Sequence, residues 1–253
     1  MALGRAVCML RTASHYRRDA FEAGLRAAGL KVLPALSDPR PGDVLAVWNR
    51  YGGYHETARQ WERAGARVLV AENGYVGRDR YALAEGHHAG AGKWPLGGPE
   101  RWDALGVKLH PWRESDAPPL ILGQRGIGEP GIASPPQWAE RVQRRIGGRI
   151  RPHPGKYLPP VSLDADILAA GCVITWASSA ALRALQLGVP VWCDCPQWIG
   201  SGAAQPLSEW GKRPPLRSDA ARLEMFRRLA WAQWTIEEIR SGDAIRRILE
   251  IRA

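Results

Sequence analysis

Three stretches decide how this chain reads: Arg151-Pro-His-Pro-Gly-Lys156, Val173-Ile-Thr-Trp-Ala-Ser-Ser-Ala-Ala-Leu182 and Gly188-Val-Pro-Val191. They read as successive β-strands whose C-terminal ends carry cationic and hydroxyl groups, with a helix opening at the paired serines. A diphosphate-containing ligand at the mouth of a parallel sheet needs fixed N–H donors, a helix start and one or two cations. These stretches offer all three.

Working outward, Leu120–Gly123 is a strand that runs into Gln124-Arg-Gly-Ile-Gly-Glu-Pro-Gly131. Ser134-Pro-Pro136 opens a helix to about Ile146, with proline in the permitted first turn. Arg149–Arg151 is a strand, Asp164–Ala170 a short helix, Val173–Trp176 a strand, Ser178–Leu187 a helix and Val189–Cys193 a strand. The first part of the chain alternates in the same way. Strands fall at Ala6–Leu10, Lys31–Leu33, Val44–Trp48 and Arg67–Ala71. A helix presents Phe21, Leu25 and Ala28 on one face, and another runs from His55 to Ala64. Alternating β and α segments predict parallel sheets with helices on both faces. The pattern lapses over 77–115, where Gly86-His-His-Ala-Gly-Ala-Gly92 reads as a flexible loop and Ser115-Asp-Ala-Pro-Pro119 as a linker. Helices are expected at 219–234 and 243–251. The result is an α/β protein of two Rossmann-like domains, 1–115 and 116–253, facing one cleft, with ligands at the strand C-termini.

A chain of 253 residues has room for one large or two small domains. No stretch has the shape of a transmembrane span or a signal peptide, so a soluble cytoplasmic protein is expected. Cys8 and Cys172 fall in expected strands. Cys193-Asp-Cys195 lacks a second ligand pair at zinc spacing, so no metal is expected. The net charge of +10 suits a polyanionic partner: nucleic acid, an acidic membrane surface or a charged polysaccharide. Arginine-rich coding together with a phosphate site gives the same balance. Among 12 tryptophans, Trp48, Trp94, Trp112 and Trp176 stand near expected loops or strand ends, where a ring can stack on a sugar or base.

The second block resembles the nucleotide-binding half of GT-B glycosyltransferases. It is similar to the capsule-polysaccharide (Kdo-transferase-like) branch and to glycosyltransferase-like proteins of phages and prophages. Gln124-Arg-Gly126, Arg151-Pro-His-Pro154, Thr175-Trp-Ala-Ser-Ser179, Ala184-Leu185 and Gly188-Val-Pro190 carry the resemblance. The helix expected over Ala230-Trp-Ala-Gln-Trp-Thr-Ile-Glu-Glu-Ile239, with Ser241-Gly-Asp243, looks like the C-terminal part of such phage proteins. Glu72-Asn-Gly-Tyr-Val-Gly-Arg78 is similar to their acidic-Gly-aromatic segment at the cleft. The resemblance implies a GT-B-like fold, C-terminal helices packing back across the domains, and transfer of a sugar from a nucleotide-sugar co-substrate without a resident cofactor. Many such proteins hold the donor ribose with a Glu after the serine pair. Here Arg183 stands in that neighbourhood, where it can meet an extra phosphate or an acidic sugar.

Glycosyl transfer needs stabilisation of the leaving phosphate and a base for the acceptor hydroxyl. Asp164-Ala-Asp166 has the spacing of a metal motif, but it opens a helix, whose positive end its carboxylates are expected to serve. Metal-independent stabilisation is therefore expected. The donor-site candidates are Gln124, Arg125, Gly126, Arg151, His153, Lys156, Thr175, Ser178 and Ser179, with His153 otherwise a turn histidine between two prolines. The catalytic candidates are Glu72, at the end of a strand, and the loop histidines His87 and His88; a surface carboxylate and solvent-exposed histidines are the bland alternatives. For the acceptor, a saccharide, lipid or small molecule stands beside DNA carrying hydroxymethylated pyrimidines. Arg11, Arg50, Arg78, Arg80 and Lys93 are the candidate phosphate contacts. A sugar epimerase or a non-catalytic nucleic-acid-binding module on the same scaffold are the other classes.

Overall fold

The structure, a computed structural model, describes residues 4–155, 159–212 and 215–251. The chain forms two compact units, Met1–Gly98 with Ala230–Ala253, and Pro99–Leu229.

In the first unit β1 (Arg5–Cys8), α1 (Arg18–Ala27), β2 (Lys31–Leu33), β3 (Val44–Trp48), α2 (Gly53–Arg63), β4 (Arg67–Asn73) and β5 (Arg80–Glu85) follow in order. β1 to β4 are parallel, and β5 returns antiparallel to β4. Val44–Trp48 and Val68–Ala71 are buried along their whole length, the signature of a parallel sheet covered on both faces. Side chains alternate between two cores. Val44, Ala46, Leu69 and Ala71 pack with Phe21 and Leu25 of α1, whereas Leu45, Val47, Val68 and Val70 pack with Ala58 and Trp61 of α2.

In the second unit α3 (Glu100–Asp103), β6 (Leu120–Leu122), α4 (Trp138–Ile146), β7 (Arg149–Arg151), α5 (Leu163–Leu168), β8 (Val173–Thr175), α6 (Ala180–Gln186), β9 (Val191–Cys193), β10 (Gln205–Pro206) and α7 (Asp219–Ala230) follow. Its sheet is parallel throughout, in the order β10-β9-β8-β6-β7. Ile121 and Ile174 pack against Trp138, Ala139 and Val142 of α4 on one face. β6 lies between β7 and β8, so the loops leaving these three strands are neighbours at one sheet edge.

The chain then returns to the first unit as β11 (Gln233–Thr235), α8 (Ile236–Arg240) and α9 (Asp243–Leu249). β11 pairs antiparallel with β5 and completes a six-stranded sheet, β11-β5-β4-β3-β1-β2. α8 packs so tightly on α1 that a Cβ on Gly24 would lie 1.9 Å from the Ile239 carbonyl oxygen. A capping box of Thr235 and Glu238 starts α8.

Three expectations differ. The helix expected over 219–234 stops at Ala230, and the segment read as one helix from 230 to 239 is a strand followed by a short helix. The unit boundary falls at 98/99 instead of 115/116. Residues before the Pro-rich stretch belong to the second unit because His110 N–H bonds Gln186 O and Arg113 N–H bonds Gly188 O. Arg222, buried under Trp112 with its guanidinium 4.1 Å from the ring centroid, donates to His110 O. Lastly, 86–92 is a tight turn: Gly86 N–H bonds Val68 O, and Glu85 and Lys93 exchange backbone bonds. No helix among the described residues is long and apolar enough to cross a membrane.

Candidate functional site

A cavity of about 800 Å³ opens in the second unit. Its walls are the loop from β6 to α4, the first turn of α4, and the end of β7 with Pro152 and His153. Gln124, Arg125, Gly126 and His153 line it, four of the residues singled out from sequence. The loop is folded on itself. Gly126 has φ +65°, and a Cβ there would stand 3.2 Å from Ser134 O. Trp176 Nε1–H donates to Ile132 O at 2.8 Å, tying the loop to the end of β8. Trp138, whose ring meets Trp176 edge-on, donates from Nε1 to Asp194 at 2.7 Å. Trp48, Trp112 and Trp176 thus serve packing and loop anchoring.

His153 is exposed, and its Nδ1 accepts the Gly155 amide hydrogen at 3.0 Å. In the neutral ring this places the proton on Nε2, which becomes a donor. Partial desolvation and then the neighbouring Arg125 charge push the His153 pKa below its ordinary value. The two side chains therefore stand together at the ends of adjacent strands, with the Nε2–H of a neutral imidazole and an exposed guanidinium to offer an anion.

The other donor candidates divide. Gln124 Oε1 accepts the Ala177 amide at 2.8 Å, so this side chain holds the β8 loop against the β6 loop. Thr175 is fully buried and accepts the Ser178 amide at 2.8 Å; its hydroxyl shapes the turn. Ser178 Oγ accepts the Ala180 amide, and Ser179 is exposed. The serine turn does not line the cavity. It leaves β8 and the His153 turn leaves β7, on opposite sides of β6 and two strand spacings apart, about 10 Å, at the same sheet edge. Arg151 is corrected. It is buried, with its guanidinium bonded to Asp166 and to Val161 O. Lys156 lies outside the described residues.

Asp164-Ala-Asp166 lies in the first turn of α5, and both carboxylates also take arginines. Asp164 takes a two-pronged pair from Arg183 at 2.9 and 2.7 Å, and Asp166 is bonded by Arg149 and Arg151. Burial alone would raise the Asp166 pKa, but the two arginines hold it below the usual carboxylate value. The Arg183 hydrogen bond does the same for Asp164. Arg183 is also bonded to Gln186, so its guanidinium is engaged on both Nη atoms while it stays partly exposed.

In the first unit Glu72 is the penultimate residue of β4, half-buried, and accepts the Tyr75 hydroxyl hydrogen at 2.5 Å. Gln233 of β11 fixes this turn, accepting the Tyr75 and Val76 amides at 2.9 and 3.0 Å and donating to Val76 O at 2.7 Å. Sequence reading misses Gln233 because the return of the last strand to this sheet has no local signal. The histidine pair is corrected. β5 runs against β4 with Glu85 opposite Leu69, so the backbone of the His87–His88 turn lies at the edge where β4 begins, away from Glu72. His88 is buried and its Nε2 accepts the Arg50 amide hydrogen at 3.3 Å, which removes it as a base.

The candidate phosphate contacts also divide. Arg50 is 2% exposed and pairs through both Nη atoms with Glu62 at 2.6 and 2.7 Å, so it is structural. Arg11 is exposed among tyrosines, donating to Tyr16 and Tyr51 hydroxyls at 3.4 Å. Arg78 is exposed in the turn after β4, and Arg80 is half-buried at the start of β5. Lys93 is exposed but held by backbone to Glu85, at the edge opposite Arg78. The five do not form one stripe. No group of His, Cys, Asp or Glu side chains suited to a metal occurs among the described residues.

No protein-family model matches the chain, and no curated protein does. Solved structures do. The β-Kdo 2,7 transferase of KpsC from Thermosulfurimonas dismutans is similar with a TM-score of 0.56 and 15% identity, over 88% of this chain and 89% of that one. The β-Kdo 2,4 transferase of KpsC from the same organism is similar with a TM-score of 0.57 and 14% identity, over 92% of each chain. At such identity the likeness speaks to architecture: this chain has the GT-B-like α/β fold of the KpsC Kdo transferases.

Proposed function

We propose that this protein is a glycosyltransferase that takes a sugar from a nucleotide-sugar donor, held in the cavity of the second unit, and passes it to a saccharide hydroxyl. The observation that carries this reading is the joint position of Arg125 and His153 in a cavity at the C-terminal ends of β6 and β7. Open α/β sheets bind ligands at that edge, and the fold shared with Kdo transferases supports it.

In the reaction the bond between the anomeric carbon and the phosphate oxygen breaks, and its electron pair stays on the phosphate. Arg125 and the Nε2–H of His153 meet that growing charge; fixed donors aimed at developing charge give many enzymes most of their rate enhancement. The acceptor oxygen forms the new bond to the anomeric carbon, and its proton passes to a carboxylate, for which Glu72 is our candidate. Charge stabilisation by these side chains requires no metal motif from Asp164 and Asp166, whose carboxylates are already taken by arginines. A saccharide acceptor is favoured over DNA because Arg50 is buried and Lys93 lies at the sheet edge opposite Arg78, which leaves few of the basic candidates together.

Thermal stabilisation by nucleoside mono- and diphosphates and their sugars tests the donor site. A rise in melting temperature with one nucleotide, lost in Arg125→Ala and His153→Ala, supports the reading. No shift with any of them overturns it.

A further inference from the structure

Gln233 of β11 is 1% exposed, and its amide is directed to one turn of the chain. Oε1 accepts the amide hydrogens of Tyr75, 158 residues earlier, and of Val76, while Nε2 donates to Val76 O. The β4–β5 hairpin closes without these bonds, because Gly74 N–H donates to Arg80 O at 2.8 Å. What Gln233 adds is a fixed place for Tyr75. It holds that residue by the backbone, and the ring hydroxyl at the other end donates to Glu72 Oε1.

Strand register makes the arrangement possible. Ala82 of β5 lies opposite Glu72 on β4 and opposite Gln233 on β11. Directly opposed residues of antiparallel strands share a face. Glu72, Ala82 and Gln233 therefore form one row across three strands, with the smallest side chain in the middle. We propose that Gln233 is a positioning residue for the transfer reaction: it orients Glu72 through Tyr75 and touches neither donor nor acceptor. The proposal rests on Glu72 being the base. It gives the C-terminal segment, which returns to the first sheet as β11, a part in setting the rate.

A purely structural Gln233 would also brace the hairpin, and its loss would lower stability. Two readouts separate the roles. One is a double-mutant cycle in turnover, since a group that acts through Glu72 has nothing to act on once the carboxylate is replaced. The other is hydrogen exchange at the Tyr75 and Val76 amides, which needs no substrate. The variants are Gln233→Met, unbranched and without polar donors, and Gln233→Asn, one methylene shorter and still polar. Either one that folds, by urea unfolding, serves. Turnover is nucleotide release from UDP-glucose, GDP-mannose and CMP-N-acetylneuraminate, with water or methyl glycosides as acceptor.

We expect turnover to fall about tenfold to a hundredfold with the KM for donor unchanged, the mark of a misplaced reacting group. In the Glu72→Gln background the same substitution should change turnover by less than about twofold. The two amides should exchange at least about tenfold faster. An equal loss of turnover in both backgrounds overturns positioning and leaves a brace. Amides that exchange as in wild type overturn the geometric basis. A Glu72→Gln protein as active as wild type removes the base, and the role of Gln233 with it, while the donor site stands. A wild type that releases no nucleotide from any of the three donors overturns the transferase reading itself.

Discussion

Tyr75 donates its hydroxyl hydrogen to Glu72 Oε1 at 2.5 Å, three residues apart across the turn that leaves β4. The bond fixes one of the two carboxylate oxygens. It also ties the candidate base to Gln233, which holds the Tyr75 amide. General bases contribute about 10²–10⁴ in rate. Glu72→Gln is expected to lower turnover by at least about a hundredfold with nucleotide affinity unchanged, whereas Tyr75→Phe, which removes only the positioning bond, costs about tenfold. Steady-state kinetics with a titration of nucleotide alone separates the two effects. Glu72→Gln turning over at the wild-type rate removes Glu72 as the base.

His153 predicts a pH dependence. Desolvation and Arg125 lower its pKa, so the free protein carries a neutral ring at pH 7. A bound phosphate favours the imidazolium and raises that pKa. Nucleotide affinity should therefore strengthen as pH falls through the His153 titration and level off below it. Calorimetry between about pH 5 and pH 8 measures the slope. His153→Gln, which keeps a donor but cannot titrate, should flatten it. An unaltered slope in that variant places the titrating group elsewhere.

The two aspartates of the 164–166 segment separate a metal role from a structural one. Asp164 pairs with Arg183 at the surface, with about two-fifths of each side chain exposed, 46% and 40%. Such pairs contribute about 0–1 kcal/mol. Asp166 is buried and neutralises Arg151, and removing one member of a buried pair costs about 3–5 kcal/mol. Asp164→Ala is expected to leave both activity and stability near wild type, while Asp166→Ala lowers the urea midpoint. The Asp166 contribution is present above the unfolded carboxylate pKa and is lost as pH falls through its lowered folded pKa. A loss of activity in Asp164→Ala without a loss of stability points to a cation held there.

The two sheets are legible in the sequence because Val44–Trp48 and Val68–Ala71 are continuous apolar runs and Val173–Ile174 is a β-branched pair, as suits strands covered on both faces. β5 is not legible. Arg80-Tyr-Ala-Leu-Ala-Glu85 has two alanines, weak strand formers, and becomes a strand through its register with β4 and β11. Gln233-Trp-Thr235 is hidden because it follows a helix with no break by glycine or proline. At the site, Arg125 and His153 are readable since both closely follow expected strands, Leu120–Leu122 and Arg149–Arg151. The engagement of Arg50, Arg151 and Arg183 is not, because their partners lie 12, 15 and 19 residues away and are chosen by tertiary packing.

Arg50 supplies the sharpest stability prediction. Its guanidinium is bonded to both Glu62 oxygens and to Gly86 O, its Nε donates to His55 at 3.4 Å, and its amide donates to His88. One residue thus links the loop after β3, the last turn of α2 and the turn after β5. Glu62→Gln keeps an acceptor but removes the charge, and should cost about 1–3 kcal/mol. Arg50→Ala removes the whole junction and also leaves Glu62, Gly86 O and a cavity behind, so the loss should be larger, about 3–5 kcal/mol. Urea unfolding of the two variants measures this order. Duplex DNA binding at low salt measures the alternative role: a surface phosphate contact would lower affinity in Arg50→Ala with stability intact. A buried strut gives the opposite, lower stability with DNA binding unchanged in the folded fraction, and that is the outcome the Arg50–Glu62 geometry requires.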